Sequence, residues 1–331
     1  MSVADSKLRS RLPFSATTKI EEVDPKYKEL ILTLPKEDQW LAIELRKYGG
    51  FWYPERHFSG VLAMQEVFKS QPSDVIIASF MKSGTTWLKA LAFAVLHREK
   101  YNLSSHPLLK LNPHDCVPII EHHYATRDEH YLESVPSPRV LGTHVSYSML
   151  PDSIKTSTSK IVYICRDPKD VLVSLWHMVT KFEWFNKPFP FAKAFELFCE
   201  GRMPYGPVWD HVLEYYTKSI RSPEKILILK YEEMLKDPSD GVVKMANFIG
   251  CPFSEDEMKI GSVEKIVELC SFNKLKDLDV NKNGSGAGNV PNNYYFRKAV
   301  VGDWQNFMTP EMANTLDEIT KEKFSDSTFT Y

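Results

Sequence analysis

The sequence has few cysteines, no long apolar run and almost no net charge, and each absence excludes a class of protein. Its five cysteines are scattered without a CxxC pair, which suits packed free thiols in a reducing compartment. No stretch approaches the ~18 apolar residues of a membrane-spanning helix. The first 22 residues contain no apolar core of signal-peptide length. We therefore expect a cytoplasmic protein with no membrane span.

The charge balance is nearly even. The 41 Lys and Arg side chains and the 43 Asp and Glu side chains give a formal net charge of −2, whereas proteins that bind nucleic acids are usually strongly basic. We expect no nucleic-acid partner, so any anion site must be a local cluster of cations. A chain of 331 residues with 43% hydrophobic residues can bury a full core. We expect a flexible, polar extension over residues 1–20 and one domain over residues 21–331.

Short apolar runs alternate with segments of helical periodicity along the rest of the chain. Runs at residues 74–80, 140–141, 160–165 and 226–229 fit buried strands, and helical spacing follows the first and third. This alternation predicts an α/β fold, a single domain with a central, mainly parallel sheet flanked by helices on both faces. Ligands of such sheets bind at the carboxyl ends of the strands. Residues 25–46 look helical in pieces, and residues 281–293, rich in glycine and asparagine, favour a flexible loop.

The loop after the first strand is the most informative segment. It consists of Lys82, Ser83, Gly84, Thr85, Thr86 and Trp87. A strand end, a glycine turn and a helix start bring unpaired amides and the positive end of the helix dipole together, and this arrangement binds phosphate oxygens. The loop resembles a P-loop, but its lysine precedes its glycine, unlike the Walker pattern of kinases and ATPases. An ordinary strand-to-helix turn with a surface lysine is the alternative.

The end of the third strand repeats this pattern with an arginine. Arg166 can offer a planar fork of donors to a phosphate. Ser174 lies about two helical turns further on, where it could reach the same anion. The alternative is a structural ion pair of Arg166 with Asp167 or Asp170.

Three motifs in this order resemble the cytosolic sulfotransferases, and most of all plant-type enzymes such as the flavonol sulfotransferases. They are KSGTTW after a strand, YICRDPKDVLVS, and FRKAVVGDW near the C-terminus, within a match that covers roughly residues 70–325. The resemblance implies the sulfotransferase fold with a P-loop-like phosphosulfate-binding loop. It also implies 3′-phosphoadenosine 5′-phosphosulfate (PAPS) as co-substrate, without a metal, and transfer of its sulfuryl group to a hydroxyl of a small hydrophobic acceptor.

The resemblance further assigns roles to individual residues. Residues 82–87 would wrap the 5′-phosphosulfate, with Trp87 near the adenine, and Arg166 and Ser174 would hold the 3′-phosphate. The other donor-site residues would be Tyr231, Cys270, Ser271 and Phe272 on the adenine side, and Arg297, Lys298 and Ala299 over the 3′-phosphate. His144 would be the general base that takes the proton of the acceptor. Lys82 would stabilise the charge on the departing phosphate.

Three residues depart from the family pattern. Met81 stands where the family usually has proline, Ala299 where it has glycine, and Gly142 where animal relatives often carry a second catalytic lysine. The first two touch the donor site, so we expect weakened donor affinity. The C-terminal dimer signature of animal relatives is degraded over residues 305–310, so we expect a monomer or a weak dimer.

The acceptor is the part that the sequence defines least. The plant relatives act on flavonoids, on other phenols and on hydroxylated plant hormones, and an aromatic wall favours a flat, hydrophobic acceptor. The candidates for that wall are Phe51, Trp52, Tyr53, His114, Tyr147, Trp176, His177, Phe182 and Trp184. The histidines and acids over residues 114–130 lack the spacing of a metal site. Two alternatives stay open: a nucleotide-binding relative with weak or no activity, and a P-loop-type kinase.

Overall fold

The strands form two sheets in the computed structural model, which describes residues 23–40, 43–181, 188–286 and 290–331. In chain order they are β1 (Lys36–Glu37), β2 (Leu45–Tyr48), β3 (Phe51–Pro54), β4 (Val75–Ser79), β5 (Val140–Thr143), β6 (Lys160–Cys165) and β7 (Ile226–Lys230). The last four form a parallel sheet in the order β5-β4-β6-β7. The predicted strands and their parallel arrangement are therefore confirmed.

Helices follow most of these strands. They are α1 (Pro25–Thr33), α2 (Glu55–Val67), α3 (Thr85–Leu96), α4 (Pro113–Cys116), α5 (Ile120–Ala125), α6 (Glu129–Ser134), α7 (Asp152–Thr156), α8 (Pro168–Thr180), α9 (Phe191–Cys199), α10 (Val208–Arg221), α11 (Tyr231–Lys236), α12 (Pro238–Phe248), α13 (Glu255–Lys259), α14 (Ser262–Leu269), α15 (Phe272–Asp277), α16 (Asp279–Asn283) and α17 (Pro310–Lys323). Asp167 caps α8 by accepting from the Lys169 amide, with Pro168 in the first turn. Within the described ranges, no helix has both the length and the apolar character to cross a membrane.

Both faces of the parallel sheet are covered. Alternate residues of β4 belong to two separate apolar clusters, because side chains alternate across a strand. Ile76 and Ala78 pack in one cluster with α2, α8 and α10. Val75 and Ile77 pack in the other cluster with α3, α12 and α14. The predicted α/β class, a central parallel sheet flanked by helices, is confirmed.

The strand order places a crevice in the middle of the parallel sheet. From β4 the chain crosses to β5 on one side and then returns to β6 on the other side of β4. Connections that leave neighbouring strands in opposite directions open a crevice at the carboxyl ends of those strands. The loops after β4, β5, β6 and β7 all begin at this edge.

Two regions differ from the sequence expectation. Residues 25–46, expected to be helical in pieces, form α1 and then β1 and β2, which pair with β3 in an antiparallel sheet. Within residues 281–293, of which 287–289 lie outside the described ranges, residues 281–283 end α16 and Ser285 forms a bridge with Pro291. The predicted extension over residues 1–20 lies outside the described residues, and the domain boundary stays a prediction.

Candidate active site

A cavity of about 280 Å³ opens at the carboxyl edge of the parallel sheet, close to the ~300 Å³ at which small-molecule sites begin. All of the predicted donor-site and catalytic residues except Ser83 line it. They are Lys82, Gly84, Thr85, Thr86, Trp87, His144, Arg166, Ser174, Tyr231, Cys270, Ser271, Phe272, Arg297, Lys298 and Ala299. Segments that are more than 200 residues apart in the chain, from Lys82 to Ala299, therefore share one cavity.

Ser83 is the exception. Its side chain is 1% exposed, its hydroxyl has no hydrogen-bond partner among the described residues, and its amide donates to Phe80 O at 3.3 Å. The chain turns at the next residue, Gly84, so Ser83 is buried beneath the loop instead of lining the cavity. Any contact of Ser83 with a ligand stays a prediction.

Gly84 is required for the shape of the loop on two grounds. Its φ is 104°, a conformation that side-chain-bearing residues rarely adopt. A Cβ at this position would stand 2.6 Å from the ring of Tyr231. The close approach lets α3 begin at Thr85 directly beside the cavity, so its unpaired amides face the space where an anion would bind.

Lys82 is held in an unusual state. Its φ of 67° lies in the left-handed region, where a residue with a side chain carries strain. Burial, together with repulsion from Arg166, Arg297 and Lys181, lowers the pKa of Lys82 to about 7. Positive charge is thus concentrated here, and an anion in the cavity would favour the charged lysine again.

Arg166 is both paired and incompletely satisfied. Its Nη2 donates to Val300 O at 2.8 Å and lies 3.2 Å from Asp170 Oδ2, so the ion pair considered from the sequence exists. Its guanidinium stacks on the ring of Tyr231 at 4.5 Å. Its Nε is buried and has no hydrogen-bond partner in the described part of the chain. The arginine is therefore fixed in place by Asp170 and still has a donor to offer.

Arg297 and Lys298 share one carboxylate. Asp303 accepts from Arg297 Nη1 and, at 2.8 Å, from Lys298 Nζ. Although burial opposes it, the hydrogen bonds from Lys298, Arg297 and Asn306 hold the pKa of Asp303 well below its usual range. Ala299 follows with a φ of 54°, in the left-handed region that glycine, the family's usual residue here, adopts without strain. Asp303 was not foreseen, although the GDW motif contains it.

His144 has a defined tautomer. Its Nδ1 lies 3.0 Å from Ser79 O, and because a carbonyl only accepts, Nδ1 carries the proton and Nε2 keeps its lone pair. Its amide donates to Glu121 Oε1 at 2.7 Å. Burial, reinforced by the charges of Lys89 and Lys82, lowers the pKa of His144 to about 3, against the effect of the Ser79 bond. The imidazole is therefore neutral near pH 7 and can accept a proton at Nε2.

Most of the predicted aromatic wall packs against other side chains and does not line this cavity. Phe51, Trp52 and Tyr53 are buried, and the half-buried Tyr147, Trp176 and His177 pack on Tyr215, Phe191 and Phe307. Within that wall, only His114 lines the cavity, and Phe182 and Trp184 lie outside the described residues.

A tyrosine that the sequence did not single out lies beside His144. The ring of Tyr205 is 5.7 Å from the imidazole. Its hydroxyl is buried without a partner among the residues that the structure describes, and its φ is 63°. A buried, unpaired hydroxyl on a strained residue is a sign of function, but no sequence pattern reveals it.

The fold and the cavity define an α/β protein with a cationic small-molecule site at the carboxyl ends of a parallel sheet. A family model described as the sulfotransferase domain matches residues 72–328. The chain is 44% identical to cytosolic sulfotransferase 5 of Arabidopsis thaliana, over 93% of this chain and 97% of that relative. It is 42% identical to the flavonol 3-sulfotransferase of Flaveria bidentis, over 89% and 97%.

The structure also resembles a crystal structure of a mouse sulfotransferase complexed with 3′-phosphoadenosine 5′-phosphate (PAP). The two match with a TM-score of 0.68 and 29% identity, over 86% of this chain and 95% of that one. The chain therefore belongs to the sulfotransferase family, and it is a PAPS-dependent sulfotransferase. The resemblance found in its motifs is confirmed.

Proposed function

We propose that this enzyme transfers the sulfuryl group of PAPS to a hydroxyl of a small, hydrophobic acceptor, a flavonoid or other phenol or a hydroxylated plant hormone, in the cytosol. The observation that carries the proposal is the single cavity in which Lys82, Arg166, Arg297 and His144 come together. A donor with a 3′-phosphate and a 5′-phosphosulfate needs cations at separate points of one cavity and a base at one end. Relatives named cytosolic sulfotransferases support the location.

The donor half of the cavity fits the two anionic ends of PAPS. The start of α3, with Thr85 and Thr86, receives the 5′-phosphosulfate, since helix amides and hydroxyls donate to its oxygens. Arg166 receives the 3′-phosphate with the donor that the protein leaves unpaired. Tyr231 and Trp87, edge to face at 5.9 Å, border the adenine. The PAP held by the mouse relative supports this use of the fold.

His144 and Lys82 carry the transfer. The acceptor oxygen forms a bond to sulfur while the bond between sulfur and the bridging phosphate oxygen breaks, and the electron pair stays on the phosphate of the departing PAP. The hydroxyl proton moves to Nε2 of His144, and the Ser79 carbonyl supports the resulting imidazolium at Nδ1. Lys82 stabilises the charge on the phosphate. The negative donor raises the pKa of His144 and so offsets the effect of burial.

The acceptor site lies next to His144. Tyr205 places a buried hydroxyl there with no partner in the described ranges, and such a group is satisfied when an acceptor supplies a hydrogen-bond partner. A phenol supplies an aromatic ring for the surrounding rings and polar atoms for this hydroxyl. The relative named flavonol 3-sulfotransferase supports the phenolic class.

The test measures the affinity for the donor nucleotide and the turnover of the acceptor separately. Calorimetric titration should show PAP bound at least about tenfold more tightly than ATP, because ATP has no 3′-phosphate for Arg166. Wild type should then convert PAPS with at least one member of a panel of flavonols, simple phenols and hydroxylated plant hormones. His144→Gln should keep PAP affinity and lose about 10²- to 10⁴-fold in kcat.

A matched control is His130→Gln, at an exposed histidine that pairs only with Glu133 in the described structure, and it should behave as wild type. Equal affinity for ATP and PAP would overturn the donor assignment. Normal PAP binding without turnover of any acceptor would instead support the nucleotide-binding alternative, which the strained Ala299 favours.

A further inference from the structure

Lys89 is a buried lysine to which the proposed reaction gives no role. It lies on α3, one turn after Thr86, and it is fully buried, with 0% of its surface exposed. Its ammonium donates to Val117 O at 2.9 Å and lies 3.2 Å from His114 Nδ1. A lysine in such a position costs folding free energy unless its donors are used. Its contacts lead toward the cavity through His114.

His114 connects this lysine with the loop that binds the donor. It lines the cavity and packs against the ring of Tyr295 at 4.2 Å. Its Nε2 lies 2.9 Å from Thr86 Oγ1. Asn112, which caps the short helix α4 through the amide of His114 at 2.9 Å, fixes the position of the histidine. One imidazole thus joins a buried ammonium to a hydroxyl of the cavity.

The polarity of these two hydrogen bonds follows from the chemistry of the groups. In its protonated form Lys89 only donates, so Nδ1 of His114 then accepts. Burial, with the charge of Lys89, holds the pKa of His114 well below its usual range, so the ring is neutral and has one N–H, at Nε2. That N–H donates to Thr86 Oγ1, and the proton of the Thr86 hydroxyl is then free to point into the cavity.

We propose that Lys89 is a positioning residue which, through the tautomer of His114, makes the Thr86 hydroxyl a hydrogen-bond donor to the phosphosulfate of PAPS. The inference rests on the proposed donor site. Without the lysine, His114 can carry its proton on Nδ1 and accept from Thr86, and the hydroxyl then offers the anion only lone pairs.

The strand beside Lys89 leaves room for it. A Cβ on Gly142 would stand 2.6 Å from Cε and 2.8 Å from Nζ of Lys89. The absence of a side chain at residue 142 is therefore what admits the lysine to this position. Burial lowers the pKa of Lys89 to about 7, and the carboxylates of Glu121 and Asp115 act in the opposite direction, toward the ammonium. The lysine, the glycine and the histidine form one unit.

The first measurement is PAP affinity in Lys89→Met, Thr86→Val and the double variant. Each single variant should weaken PAP about tenfold, the net effect of one charge-assisted hydrogen bond. The double variant should be no weaker than Thr86→Val, since both changes remove the same donor. KM for PAPS should rise in parallel while kcat stays nearly constant, because the hydroxyl contacts ground state and transition state alike. Thr86→Ser should keep the affinity.

The second measurement is the tautomer of His114, read from two-bond ¹⁵N–¹H correlations of labelled histidine and assigned with His114→Gln. Wild type should show the proton on Nε2, and Lys89→Met should move it to Nδ1. Gly142→Ala keeps the lysine but displaces its ammonium, so it should shift the tautomer and the PAP affinity in the same direction if Lys89→Met does not fold. Lys225→Met is the matched control, since Lys225 is a buried lysine bonded to Ser159 Oγ at the opposite edge of the sheet.

A purely structural lysine gives a different result: Lys89→Met would lower stability, and the PAP affinity of the folded protein and the His114 tautomer would stay as in wild type. That outcome overturns the inference, as does a double variant that is about tenfold weaker than Thr86→Val. A wild type that binds ATP as tightly as PAP would instead overturn the proposed donor site.

Discussion

Two buried arginines at opposite edges of the parallel sheet are used in different ways. Arg139 precedes β5 and is 3% exposed, and Arg166 follows β6 and is 6% exposed. Arg139 donates to the carboxylate of Asp74 from Nε and Nη2 at 2.8 and 2.6 Å. It also donates to the carbonyls of Leu132 and Lys69. Arg166 donates to Val300 O and pairs with Asp170, but its Nε has no described partner.

The difference separates a structural cation from a binding one. A buried donor without a partner costs roughly 1–3 kcal/mol, so a fold keeps one where a ligand completes it. At the amino edge every nitrogen of Arg139 is used within the protein. At the carboxyl edge Arg166, Lys82 and Tyr205 retain strain or unpaired atoms. Of these two buried arginines, the one with a donor left unused in the described structure is the one that lines the cavity.

The largest expected effect is on stability at the amino edge. Arg139→Met leaves the carboxylate of Asp74 buried, and losing one partner of a buried pair costs about 3–5 kcal/mol. Urea denaturation should show this loss in the free energy of unfolding. PAP affinity of the folded variant should equal that of wild type. A stable Arg139→Met with weakened PAP binding would contradict the division between the two edges.

The next largest effect concerns donor affinity at the carboxyl edge. Arg166→Met should weaken PAP by about 1.5–3 kcal/mol, a roughly 10- to 150-fold rise in Kd, because it removes charge-assisted hydrogen bonds to the 3′-phosphate. Its stability should change less than that of Arg139→Met, since Asp170 still accepts from the amides of Gly302 and Trp304 at 2.8 and 3.1 Å.

Calorimetry measures this effect, and Arg166→Lys refines it. The lysine keeps the charge but not the planar fork, so its Kd should fall between wild type and Arg166→Met. Comparing PAP with adenosine 5′-phosphate isolates the 3′-phosphate, and the variant should lose the preference for PAP. A variant that weakens both nucleotides equally would place Arg166 away from the 3′-phosphate.

The sequence predicted the loops of the carboxyl edge because each is encoded locally. A buried apolar run, a glycine and a helix start are neighbours in the chain, and so are Lys82, Gly84 and Thr85. The alternation of runs likewise predicted the parallel sheet. These features depend on residues within one turn or one strand of each other.

The parts that were not predicted depend on contacts between distant residues. The strands β1 and β2 have two and four residues, too few for a readable alternation, and pairing defines them. Lys89 and Gly142 look unrelated in the chain, and only their approach shows that one makes room for the other. His114 was predicted in the acceptor wall, and only the folded structure shows its hydrogen bond to Thr86 at the start of α3.

A smaller effect is expected at Tyr205. Tyr205→Phe removes a buried hydroxyl without a described partner, so the free energy of unfolding should stay the same or rise by about 1 kcal/mol. KM for the acceptor should rise severalfold, and PAP affinity should not change. Thermal melting and steady-state kinetics with varied acceptor measure the two effects. Tyr216→Phe, which removes a hydroxyl bonded to Thr328, is the control and should leave KM unchanged.

The smallest effect is expected at Ala299, which has a φ of 54°. Lys82 also has a positive φ. Ala299→Gly relieves strain of about 1–2 kcal/mol, but glycine also gives the unfolded chain about 0.4–1 kcal/mol of extra conformational entropy. The net gain in stability should therefore lie between about 0 and 1.6 kcal/mol. PAP affinity should rise slightly or stay the same, because the segment of Arg297 and Lys298 keeps its backbone path. A loss of stability in urea denaturation would mean that Ala299 carries no strain, and the strain at this edge would then be confined to residues such as Lys82.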